Sequence, residues 1–134
     1  MRRVFGTVTL VAATLFCLLT TWQSGTAPAQ FARALGLTVA DAGGLNEIRA
    51  QYAGFFLSAA ALCFAALVRK TLRGTAFTML IVIFGGLLAG RLVSLGLDGG
   101  FSGYDPLIRS LYFIDASGLV IAVAALLLDR PGVK

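Results

Sequence analysis

Hydrophobic residues along this chain gather in four long runs separated by short polar stretches. The runs cover about residues 4–22, 46–68, 75–97 and 107–128. Each supplies the roughly 17–25 residues that a helix needs to cross a hydrocarbon core about 30 Å thick. Helix is the element that fits, because lipid offers no partner to an open backbone. The connections RKTLRG and DGGFSGYDP are short, so consecutive spans are expected to be antiparallel neighbours. The stretch between the first two runs, PAQFARALGLTVADAGG, is too long for a tight turn. In it Phe31, Ala34, Leu35 and Leu37 share a side with Gln30 and Arg33 roughly opposite, and Pro28 stands where a first-turn proline is tolerated. This pattern predicts a short helix in the outer interface. The expected fold class is all-α: a polytopic membrane protein, one domain over residues 1–134, forming an antiparallel four-transmembrane-helix bundle with a short outer interfacial helix.

Composition supports that reading. The chain is 58% hydrophobic and 13% charged, against roughly 45–50% and about 25% in soluble domains. A net charge of +5 would suit nucleic acid only if the basic residues gathered on an exposed face. They border the apolar runs instead, so no nucleic-acid partner is expected. If the chain crosses four times, Arg2, Arg3, Arg69, Lys70, Arg73, Arg130 and Lys134 fall on one side, and Arg33, Arg49 and Arg109 on the other. Seven basic residues against three predict that both termini are cytoplasmic. A rival reading takes MRR, the first apolar run and Ala27-Pro28-Ala29 as a cleavable signal peptide. Proline inside the cleavage motif disfavours it, and the first run is read as a span.

The chain has no histidine, which excludes imidazole ligation of haem or zinc and histidine-based triads. Cys17 and Cys63 lie inside apolar runs and read as small buried hydrophobes rather than a disulfide or metal pair. G-x-S-x-G, H-E-x-x-H and a phosphate-binding glycine loop are all missing from the sequence. The expectation is a protein that is not an enzyme, with no catalytic, cofactor-binding or metal residues.

The polar residues that remain point to one cluster. Glu47, Gln51, Gly54 and Ser58 recur at spacings of four, three and four, which places them on one helix face. Arg49 and Tyr52 lie on another side, where arginine can snorkel and tyrosine joins the aromatic belt. Arg91 stands roughly 9 Å inside the end of the third span, and Asp115 roughly 12 Å inside the fourth, counted from the same surface at about 1.5 Å per residue. A lone charge at that depth is costly, so the two are expected to pair. Glu47 and Gln51 are expected close by, with Tyr112 one turn before Asp115. Gly86 and Gly90 form a G-x-x-x-G pair and, with Gly54, are expected to let helices pack closely. The buried polar cluster Glu47, Gln51, Arg91, Tyr112 and Asp115 then has two readings. It is an ion pair that fixes helix register, or an outward-facing cavity for a polar headgroup, an ion or a proton.

The segments NEIRAQYAGFFL and FGGLLAGRLVSLGLDG, the ALGL stretch before the second span and four spans in this length resemble a bacterial family of small integral membrane proteins catalogued as a domain of unknown function. The resemblance covers roughly residues 30–128. It rests on Asn46, Glu47, Arg49, Tyr52, Gly54, Gly86, Gly90, Arg91 and Asp98, the N-E-I-R-x-x-Y and G-G-x-x-x-G-R motifs. Ala53 departs from it, since the family more often carries a second glycine there. The resemblance implies the fold and the polar motif and brings no activity. The function expected is an accessory or assembly subunit of a larger membrane complex. The alternative is an oligomeric channel or transporter component, or a lipid- or ion-binding membrane protein. Expected partners are membrane lipids and either a membrane protein or further copies of the chain.

Overall fold

A computed structural model describes residues 2–129; their regular elements are all helical, with no strand among them. The order is α1 (Arg2–Thr26), α2 (Pro28–Ala34), α3 (Ala42–Ile48), a π-helical segment (Arg49–Gly54), α4 (Phe55–Val68), a 3-10 turn (Lys70–Leu72), α5 (Arg73–Leu97) and α6 (Pro106–Asp129). Four stretches are long and apolar enough to cross a membrane: Arg3–Thr26, Ala42–Val68, Lys70–Leu97 and Pro106–Asp129. The chain is a multi-pass helical membrane protein with one short extra helix, α2.

Local chemistry explains where the elements end. α1 runs past the apolar stretch because the hydroxyls of Ser24 and Thr26 donate back to the carbonyls of Thr20 and Trp22 (2.6 and 2.7 Å), which satisfies polar side chains inside a helix. Pro28 opens α2. Gly36, at φ +76°, closes it: the Leu37 amide donates to Ala32 O (2.9 Å) and the Gly36 amide to Arg33 O (3.0 Å). That is the Schellman pattern, which needs a left-handed residue. Asp41 caps α3 by accepting from the Gly44 amide at 2.9 Å. At the end of α5, Gly99 takes φ +70° and the Gly100 amide reaches Leu95 O at 3.1 Å.

The chain divides into two compact units. In the unit of residues 10–72, α1 and the second span meet through small and aromatic groups. Phe16 and Phe56 pack edge to face at 6.2 Å. A Cβ on Gly25 would lie 3.6 Å from the Ala53 Cβ, and the Thr21 hydroxyl donates to Ala53 O at 3.3 Å. The inward row of the second span is Ile48, Ala59, Ala60, Cys63 and Ala66. Both cysteines are buried free thiols. In α2 the buried residues are Pro28 and Ala32, and Phe31 docks edge-on against Tyr52 at 5.0 Å.

In the unit of residues 2–9 and 73–129, α5 and α6 form an antiparallel hairpin. The contacts Arg73–Asp129, Phe84–Gly118 and Arg91–Asp115 advance along one helix and retreat along the other. Phe77, Leu80, Ala122 and Ala125 fill its interior. Gly118 is closely packed, since an added Cβ there would lie 2.7 Å from the Phe84 ring.

Candidate functional site

Tyr112 and Asp115 are three residues apart on α6, so one helix face presents both. Both are buried, Asp115 to 3% exposure. Arg91 on α5 donates its Nε to Asp115 Oδ2 at 2.6 Å. The Tyr112 hydroxyl donates to the Arg91 carbonyl at 2.8 Å, and the guanidinium carbon sits 5.9 Å from the Tyr112 ring centroid. An arginine in this position is held from three directions at once: by charge, by its own backbone and by an aromatic face.

The guanidinium is only partly consumed by these contacts. Among the described residues, Nη1 and Nη2 of Arg91 donate no hydrogen bond, and no buried side-chain nitrogen or oxygen lacks a partner. The terminal nitrogens are therefore accessible, consistent with 24% exposure of the side chain. They open on a groove of about 410 Å³ between α5 and the start of α6. Gly86, Leu87 and Gly90 line its inner part, Ser94 and Asp98 its outer part, and Ile108 and Tyr112 the α6 wall.

Aromatic groups close the outer end. Tyr104 stacks on Tyr112 at 6.1 Å, and Phe101 meets the Tyr112 ring edge-on at 5.0 Å. The Tyr104 hydroxyl donates to Asp98 Oδ2 at 2.5 Å. That hydrogen bond raises the Tyr104 pKa well above the ordinary phenol value, because ionisation would set phenolate against carboxylate. Arg109 fastens the loop by donating Nε to Tyr104 O at 2.8 Å.

The sequence-predicted residues divide cleanly. Arg91, Asp115 and Tyr112 come together. Glu47 and Gln51 are exposed residues of the 10–72 unit, not buried members of a cluster. Gly54 and Ser58, which share their predicted face, are exposed too. All four positions are exposed alike, on either side of and within the π-helical turn Arg49–Gly54: spacing says which residues share a face, not which way that face turns. Inward-facing positions there belong to small apolar residues. Gly86 and Gly90 are likewise not at a close helix contact: a Cβ on either would meet nothing within 4 Å. Gly54 would meet only the Arg49 carbonyl, at 3.8 Å.

Sequence reasoning missed a second ion pair. Arg73 grips Asp129 with Nε and Nη2, both at 2.8 Å, and both side chains are largely buried. Arg73 Nη1 also donates to the Thr7 hydroxyl at 3.3 Å, and an added Cβ on Gly6 would lie 2.6 Å from Arg73 Nη2. The usable signal was register. Once Arg91 is opposite Asp115, an antiparallel hairpin brings residue 73 within about a turn of Asp129. Tyr104 and Asp98 were also missed, since only the glycine turn between them brings loop and helix end together. Among the described residues no group of three His, Cys, Asp or Glu side chains is placed to hold a metal ion.

No curated protein and no solved structure matches the chain. A family described as a domain of unknown function (DUF4345) matches residues 5–113. That match covers most of the chain, from the first span into the first third of α6, and includes every residue lining the Arg91 groove but not Asp115 behind it; the chain belongs to the DUF4345 family.

Proposed function

We propose that the protein is a non-catalytic lipid-binding component of a bacterial inner membrane, with both termini cytoplasmic. The observation that carries the reading is the half-used guanidinium of Arg91, whose free N–H donors open on a groove at span depth. Donors left unmet in hydrocarbon are costly. An amphiphile whose polar atoms accept from them removes that cost while its tail covers the apolar lining. In this reading the family's two motifs divide the work. The N-E-I-R-x-x-Y motif serves folding, with Arg49 Nε donating to Gly25 O at 3.3 Å and Tyr52 against Phe31. The G-G-x-x-x-G-R motif builds the groove.

Native mass spectrometry of the full-length protein from mild detergent tests it. Wild type should retain phospholipid stoichiometrically. The double variant Arg91→Met/Asp115→Leu, which replaces the charge pair by apolar groups, should fold and lose that lipid. Equal retention by both sinks the reading. The orientation rests on the seven-to-three basic asymmetry, and a C-terminal reporter active outside the cytoplasm would overturn it.

A second reading, an accessory or assembly subunit, is favoured by the open Gly86/Gly90 face, which suits a partner's helix. Cysteine cross-linking from position 90 in native membranes separates the two. A discrete protein adduct supports the subunit, and its absence with lipid retained supports lipid binding.

A further inference from the structure

We infer that the Arg91 groove takes an aminophospholipid, a diacylglycerol phosphodiester ending in a primary ammonium, with the ammonium at Asp98 and one acyl chain over Gly90 and Gly86. This rests on the lipid-binding reading and adds which lipid.

The order of chemistry along α5 carries the inference. From the helix end inward, the groove presents the Asp98 carboxylate, the Ser94 hydroxyl, the Arg91 guanidinium, then Gly90, Leu87 and Gly86. A phospholipid read from headgroup to tail presents an amine, a phosphate, glycerol esters and hydrocarbon. The two series match group by group: carboxylate to ammonium, hydroxyl and guanidinium to phosphate and ester oxygens, glycine-floored trough to acyl chain. The lengths agree as well. Asp98 and Arg91 are seven residues apart, about 10 Å of helix at about 1.5 Å per residue. The path from ammonium nitrogen to ester carbonyl is about ten bonds of roughly 1.5 Å, which in zigzag spans on the order of 10 Å.

Charge selects the headgroup. Asp115 already occupies Arg91 Nε, and among the described residues no cation lies within ion-pair distance of Asp98. Asp115 balances Arg91, so Asp98 is the carboxylate of the groove lining left without an ion pair. An anionic lipid would add negative charge beside an unpaired carboxylate. A zwitterion sets its cation on Asp98 and its phosphate by Ser94, between that carboxylate and the Arg91 guanidinium. Of zwitterions, a primary ammonium donates hydrogen bonds to the carboxylate, and a quaternary one does not. The Tyr104 donor occupies only Oδ2 of Asp98, so Oδ1 remains to accept.

Full-length protein, delipidated in maltoside detergent, is offered equal amounts of dioleoyl phosphatidylethanolamine, phosphatidylcholine and phosphatidylglycerol, and bound lipid is read by native mass spectrometry. Wild type should retain phosphatidylethanolamine about tenfold over either competitor, the scale of one hydrogen bond to a charged group. Asp98→Asn, at an exposed helix end, should erase the preference while some lipid of every kind remains on Arg91. Equal retention of the three lipids by wild type, or an undiminished preference in Asp98→Asn, overturns the headgroup assignment and leaves lipid binding standing. Retention of all three no better than by Arg91→Met/Asp115→Leu removes the lipid reading itself.

Discussion

Cutting the Arg91–Asp115 pair from either side should cost unequal amounts, and the structure says which side costs more. Asp115 has a side-chain exposure of 5%, Arg91 of 24%. Arg91→Met leaves a carboxylate sealed in the hairpin, and removing one partner of a buried pair costs about 3–5 kcal/mol. Asp115→Leu leaves a guanidinium that still reaches the groove and can snorkel along it, so about 2 kcal/mol is expected, below the roughly 2.5–3.5 kcal/mol of a charge fixed at a helix centre. The double variant puts two flexible apolar side chains where the charges were, and such replacements are often near neutral. The Tyr112 hydroxyl is untouched by all three changes, because it bonds the Arg91 backbone rather than the side chain. A double variant within about 2 kcal/mol of wild type then implies a coupling of about 3 kcal/mol. Equilibrium unfolding in mixed micelles by added SDS, followed by circular dichroism, gives the four free energies. Single effects that add to within about 0.5 kcal/mol would show that the two residues do not support one another. A larger loss for Asp115→Leu than for Arg91→Met would refute the burial argument specifically.

Two further outcomes follow from contacts elsewhere in the hairpin. Gly118→Ala should destabilise by about 1–2 kcal/mol in the same assay, since its Cβ would lie 2.7 Å from Phe84 and overpacking outweighs the helix propensity gained; Gly85→Ala, whose Cβ would meet Leu119 at 3.7 Å, should be neutral or mildly stabilising. Tyr104 should ionise above the ordinary tyrosine range in a phenolate absorbance titration, and Asp98→Asn should bring it down. The sign follows from a raised pKa: the Tyr104–Asp98 contact contributes fully below the ordinary phenol pKa and is lost as pH climbs through the raised value. A Tyr104 midpoint unmoved by Asp98→Asn would contradict that hydrogen bond.

The spans were legible because lipid makes apolar length nearly a sufficient condition for a helix, and the Arg91–Asp115 pair because depth made each charge expensive alone. Depth is also why the Glu47 face misled. That residue sits at the mouth of its span, where no cost compels a partner, and a spacing rule stood in for an energetic one. The four residues of that face are all exposed. Ala53 shows the opposite case. A second glycine at that position would suit a close helix contact, yet the alanine is accommodated because Gly25 stands across from it. Which of two facing residues is small cannot be read from either strand of sequence by itself.

Glycine pairs were the least legible feature, for a physical reason that bears on the site. A G-x-x-x-G motif states only that two positions lack side chains. It is equally suited to a helix that presses close and to a trough left open. In this chain the pressing is done by Gly118 against Phe84 and by Gly6 against Arg73, neither of which belongs to such a motif. Gly86 and Gly90 have nothing over them, and they adjoin Arg91, whose terminal nitrogens, like those of Arg109 nearer the loop, donate to no described residue. Charge cost predicts that a buried arginine finds a carboxylate; it does not predict that the carboxylate takes only Nε. The remaining donors and the empty glycine floor are separate facts of structure that fall on one side of α5, and a ligand with polar atoms followed by a hydrocarbon tail is the chemistry that answers both.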